Sequence, residues 1–205
     1  MLLIRGFRDF WMSLPSEASS FLKRAILLFF LWKFLYVIVL LPSGEPDGWL
    51  VRLLGDATVT ALNLFSGSGH YKVLKVERPG PDAGTQLEQW AYIYHGRKNF
   101  DIGIANPCNG LELMVLAVGF ILCFQGSERR KAAYIAASLF GVFAVNVVRC
   151  SLLTVIKTSH PVYFEFAHKF LFNLSGYAFV FFLWMRYVKG AIGSALETKE
   201  NMSRG

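Results

Sequence analysis

Charge is scarce in this chain. Only 17% of its 205 residues are Asp, Glu, Lys or Arg, while 54% are hydrophobic and the mean hydropathy is +0.42. An ordinary globular domain carries roughly a quarter charged residues and no long apolar runs, so a conventional soluble domain is excluded. Cysteine is scarce too. Cys108, Cys123 and Cys150 are an odd set that builds no disulfide framework. The four histidines, His70, His95, His160 and His168, lack a ligand spacing such as H-x-x-x-H. A metal or haem protein is therefore not expected, and no cofactor or metal is assigned. Internal repeats and low-complexity tracts are missing. So is a small-x-small cleavage site before the PSGEPDG loop, and with so long an apolar core the N-terminal region is not expected to be a cleavable signal peptide.

What the chain does have is apolar blocks on the scale of a bilayer crossing, which takes about 20 helical residues. Four spans are expected: Phe21–Leu41, a short one at Leu111–Phe124, then about Ala132–Ile156 and Ala167–Val188. The net charge of +7 is placed as topology rather than as a nucleic-acid surface. Arg5, Arg8, Lys23 and Arg24 lie at or before the start of the first span. Arg129, Arg130 and Lys131 fill the tight loop after the second, and Arg186, Lys189, Lys199 and Arg204 lie at or after the end of the fourth. With four spans all three groups fall on one side, as the positive-inside rule requires. The long loop 42–109 holds six Lys/Arg. Both termini are thus expected in the cytoplasm, with the lipid bilayer as a partner and nucleic acid not.

The segment boundaries follow. Residues 1–20 form a cytoplasmic lead, 21–41 the first span, 42–109 an extracytoplasmic region, 110–189 a three-helix transmembrane core and 190–205 a cytoplasmic tail. Within the long loop, residues 49–65 have apolar positions at Leu50, Leu53, Leu54, Ala57, Ala61 and Leu64, which is helix periodicity. Arg52 and Asp56 inside it suit an interfacial helix better than a span. From Gly69 to Ile104 the stretches HYKVLKVERPG, QLEQWAYIYHG and NFDIGI, divided by Pro/Gly/Asp turns, predict two or three short strands. The expected architecture is an all-α polytopic membrane protein with about four transmembrane helices, an interfacial helix and a small β-containing extracytoplasmic cap.

Ionisable residues inside spans are rare, and each is a functional hypothesis. Lys33 lies near the middle of the first span and is assigned no chemistry. Glu112 lies at the outer end of the second, Arg149 roughly 10 Å from the outer end of the third, and His168 beside Lys169 at the head of the fourth. Cys108 precedes the second span in a turn-prone NPCNG run, where Pro107 and Gly110 keep the backbone out of regular helix. Unpaired N–H groups and the positive helix end there favour the thiolate. Thiol, imidazole and guanidinium together supply a nucleophile, a proton carrier and a cation for a developing oxyanion, a set suited to acyl transfer. Asn146, one turn before Arg149, shares its face and is positioned to orient it. Structural readings stand beside these: Cys108 as a packed thiol, Arg149 as an ion-pair partner of Glu112, His168 as an interfacial anchor and His160 as a solvated loop residue.

The runs NPCNGLELMVLAVGFILCFQG, NVVRCSLLTV and EFAHKFLF, in that order and on one expected membrane face, resemble the exosortase/archaeosortase family, in particular its short Bacteroidota-type members. The resemblance covers about residues 100–188. It implies a membrane-embedded cysteine transpeptidase or protease in the bacterial cytoplasmic membrane, active on the extracytoplasmic side. Its substrates would be exported proteins whose C-termini carry a short motif, a transmembrane helix and a basic tail. The family's cysteine falls on Cys108, its arginine on Arg149 and its histidine on His168, with Asn146, the Asn109 and Gly110 amides and Glu112 as supporting groups. Where many members have Cys-Ser-Gly, this chain has Cys-Asn-Gly, and it has fewer spans than typical exosortases. The rival expectation is a non-enzymatic membrane adaptor in envelope or exopolysaccharide assembly.

Overall fold

The computed structural model describes residues 16–44, 46–67, 70–79, 87–96, 101–124 and 126–204. Among the described residues the chain forms five main helices and one small sheet. Helix α1 (Ser16–Leu35) runs through a π-helical turn (Tyr36–Leu40) to Leu41–Ser43, and α2 spans Asp47–Ser66. Strands β1 (Tyr71–Pro79), β2 (Leu87–His95) and β3 (Ile102–Ile104) form an antiparallel sheet in sequence order. Helices α3 (Leu111–Cys123), α4 (Glu128–Ser159) and α5 (Phe172–Arg204) follow. The lead at 1–15 lies outside the described residues. Beyond the expected end of the fourth span, α5 continues to Arg204, because the tail holds no proline to stop it.

Two stretches are long and apolar enough to cross a membrane by length and composition, Glu128–Ser159 and Pro161–Gly190. Helix α3 is apolar but short; at 1.5 Å per residue it is about 20 Å long, against a hydrocarbon core of about 30 Å. Helix α1 exposes Leu27, Phe30 and Phe34 but carries Lys23, Arg24 and Lys33. Of the four spans expected, length and composition therefore support two among the described residues.

One face of α2 is covered by protein, but not the whole of the expected stripe. Val51, Leu54 and Leu62 join Tyr71, Ala91, Ile93, Ile102 and Ile104 of the sheet in one buried cluster, which also takes in Cys150 of α4. Close approach is possible because Gly55 faces Ala91, where an added Cβ would come within 2.8 Å of the Ala91 Cβ. Gly67 closes α2 in the left-handed conformation, its N–H donating to Asn63 O. The Asn63 amide then takes both backbone groups of Tyr71, at 3.0 Å each, tying the first strand to the helix end. Burial, with the Asp101 carboxylate nearby, pushes the Tyr71 phenol up from its ordinary value. Trp49, Leu53, Leu64 and Phe65 are left exposed on the far side of α2.

A second cluster, Leu50, Met114, Ala117, Val142 and Val180, joins α2, α3, α4 and α5. At the end of the bundle away from the sheet, Phe21 packs edge-on to Phe120 and Phe124. Arg130 there donates to Tyr187 O at 2.7 Å and lies over the Tyr187 ring. The bundle thus has a basic aromatic end and an end capped by the sheet.

Candidate active site

Strand β3 leads through Ala105 into a 3-10 turn, Asn106–Cys108. The turn is closed by the Cys108 N–H donating to Ala105 O at 2.9 Å and the Asn109 N–H donating to Asn106 O at 3.2 Å. Proline near its start suits it, since proline has no N–H to satisfy and its φ is already set. Cys108 therefore stands just before α3, in a turn of its own. Asn109 is buried. Its Oδ1 accepts from the Leu111 N–H at 2.8 Å, satisfying one of the free amides of the helix start, while its Nδ2 donates to Asp47 Oδ1 at 2.6 Å. Gly110 follows with φ +85°, the left-handed region, and a Cβ on it would overlap Asn146 Nδ2.

The partner of this turn is the middle of α4. Asn146 is only 2% exposed, and its Nδ2 has no hydrogen-bond partner among the described residues. One turn on, Cys150 is buried in the α2–sheet cluster, against which both Cys108 and Phe164 pack. Cys108 and Arg149 each lie within electrostatic reach of Cys150, and Arg149 within reach of His168. His168 sits in a π-helical turn, Ala167–Leu171, with its ring stacked on Phe164 at 5.7 Å and nearly parallel. Phe164 also touches the Leu153–Ala167 contact and lies under Lys157 Nζ.

Five expected site residues, Cys108, Gly110, Asn146, Arg149 and His168, are thus gathered around α4 from Asn146 to Leu153. No hydrogen bond joins the thiol, the imidazole and the guanidinium to one another among the described residues. In sites without substrate such bonds are often long and tighten only on binding. Three details differ from the expectation. The Asn146 amide packs against Gly110 and makes no hydrogen bond to Arg149 among the described residues, since its short side chain is spent on the neighbouring turn. The Asn109 N–H is committed to Asn106 O and is not available as a donor to substrate. Glu112 is exposed in the first turn of α3, and no ion pair links it to Arg149 among the described residues.

Sequence reasoning missed Asp47, buried in the first turn of α2 and touching Asn109, a residue 62 positions away. Only its place after a proline at a helix start marked it. Among the described residues no group of three or more His, Cys, Asp or Glu is placed to hold a metal ion.

A family model described as transmembrane exosortase (Exosortase_EpsH) matches residues 10–186, well over half of the chain. No curated protein and no solved structure matches.

Proposed function

The chain belongs to the transmembrane exosortase family, and from that premise we propose that it is a membrane-embedded cysteine transpeptidase or protease acting on C-terminal sorting signals of exported proteins. Cys108 is the nucleophile, His168 the proton carrier and Arg149 the oxyanion partner. The observation that carries this reading is that the cysteine turn and the Phe164–His168 turn both pack on α4, with His168 within electrostatic reach of Arg149.

The chemistry runs in two halves. His168 takes the Cys108 proton, and the sulfur attacks the scissile carbonyl carbon. Arg149 pairs with the oxyanion that forms. As the tetrahedral species collapses, the C–N bond breaks and His168 returns the proton to the leaving amine. An acceptor amine or water then attacks the thioester and gives its proton to His168; the C–S bond breaks, and the departing sulfur takes that proton back from His168 as the Cys108 thiol.

In this reading α1 and α3 join the two longer stretches as spans, both termini are cytoplasmic, and the cap and site face outward from the bacterial inner membrane. Support comes from charge placement. Arg24 of α1 lies within electrostatic reach of Cys123, and Arg130 of α4 meets Tyr187, whose ring packs on Phe124, so basic groups of two helices share one end. Along α4, Arg130 and Arg149 are 19 positions apart in sequence; that is about 28 Å of helix, close to one hydrocarbon thickness. The decisive experiment replaces Cys108 with Ala and follows processing of an exported protein with the motif–helix–basic C-terminus in cells. Processing should stop while the membrane-protein level holds. Unchanged processing would favour the adaptor.

A further inference from the structure

Asp47 is an acidic residue only 5% exposed, and the chemistry proposed above gives it no part. Burying a carboxylate is costly unless donors replace the lost water. Here Tyr36 Oη donates to Oδ2 at 3.1 Å and Asn109 Nδ2 donates to Oδ1 at 2.6 Å. A second contact, from Asn109 Nδ2 to the Asp47 backbone carbonyl, is marginal at 3.5 Å. Asn109 passes the constraint on, because its Oδ1 holds the Leu111 N–H at 2.8 Å. One carboxylate therefore links three elements: the π-helical turn after α1, the first turn of α2, and the backbone between Cys108 and α3. Its seat in the first turn of α2 also suits its charge to the positive helix end.

From this geometry we infer that Asp47 is a positioning residue for the nucleophile: it locks the Asn109 side chain and so fixes the backbone that carries the Cys108 sulfur. This deepens the transpeptidase reading and rests on it for the word nucleophile. The bond directions make the inference specific. Asn109 must donate toward Asp47 and accept from Leu111 at once, which an amide does and a carboxylate facing Asp47 does not.

The test uses the full chain in membranes. Asn109→Asp sets two carboxylates face to face and removes the donor. Combining it with Asp47→Asn restores one amide against one carboxylate, and position 109 still accepts from the Leu111 N–H. Two readouts are taken per folded molecule: processing of the sorting-signal substrate, and the rate at which a maleimide alkylates Cys108, followed by mass spectrometry. Misplacing a reacting atom by about 1 Å costs up to roughly 100-fold in rate, so Asn109→Asp is expected to cut processing by at least about tenfold. It should also change the alkylation rate several-fold, with both values recovering in the exchanged pair. Asp47→Asn alone should be mild, since its Oδ1 still accepts from Asn109.

If Asn109→Asp fails to accumulate, return of the protein in the exchanged pair supports the link, and loss in both overturns it. Equal defects in Asn109→Asp and the exchanged pair, or no defect in either, also overturn it. The alkylation rates report on this link even if Cys108→Ala leaves processing intact. Failure of the positioning role and failure of the transpeptidase reading are therefore distinguishable.

Discussion

The two turns that meet on α4 are built by different forces. The cysteine turn is held by polar bonds and steric exclusion: a 3-10 closure, an amide anchored to a buried carboxylate, and a left-handed glycine against which Asn146 is packed. The histidine turn is held differently. Its ring rests on Phe164, its backbone is π-helical, and its Glu165–Lys169 ion pair is exposed on both sides. π-Helical turns inside helices are uncommon and concentrate at functional sites. Under the transpeptidase proposal this contrast becomes a division of labour, in which one turn fixes the sulfur and the other lets an imidazole shift between thiol and leaving amine.

The largest effect should come from filling the tightest point of the rigid turn. Gly110→Ala forces a side chain into a left-handed backbone, a strain of about 1–3 kcal/mol, and drives its methyl into Asn146. Processing should be lost and the melting temperature in detergent should fall; a variant with wild-type turnover would refute the rigidity of this turn. Arg149→Lys comes next. It keeps the charge and removes the planar fork, so turnover should drop by about 100- to 1,000-fold, the scale of losing an oxyanion donor, while the melting temperature stays put. Full activity of that variant would remove Arg149 from the oxyanion role.

How much of this was legible beforehand follows the same divide. The strands were readable because Val, Ile and Tyr runs broken by Pro/Gly turns leave few alternatives, and all three appear at the expected places. The helix at 49–65 was readable from its period, but only part of the expected stripe is buried: Leu50 and Leu54 pack inward with Val51 and Leu62, while Leu53 and Leu64 are exposed. The cysteine turn was readable as irregular backbone because proline and glycine announce it. What holds the turn was not: Asp47 and Asn109 are brought together only by the packing of α2 onto the sheet and α4, and no local pattern encodes a contact across 62 positions. Asn146 showed the limit of helical spacing. Three residues from Arg149 places it on a shared face, but which neighbour its amide meets depends on Gly110 of another element. The π-helical register at His168 was equally hidden, since a one-residue widening leaves no mark in apolar periodicity.

A smaller effect should separate the two turns directly. Phe164→Ala removes the face on which His168 stacks and part of the cover over the buried cluster that contains Cys150. Turnover should fall by roughly tenfold, an imidazole being worth about 100- to 10,000-fold when placed correctly, while the maleimide rate of Cys108 stays at the wild-type value. A matching fall in thiol reactivity would mean that the two turns are one rigid unit, and the division of labour would be wrong.

The smallest effect tests whether the exposed ion pair contributes to holding the histidine turn. Glu165 and Lys169 are one helical turn apart and meet at 3.1 Å, but their side chains are 69% and 66% exposed. Water and salt screen such a pair, and ordering two long side chains costs about what the attraction returns. Glu165→Gln should therefore leave both the melting temperature and turnover unchanged within error, at low salt as well as high. A clear loss confined to low salt would show that electrostatics, rather than stacking on Phe164, sets where His168 stands, and would bring the two turns under one kind of control.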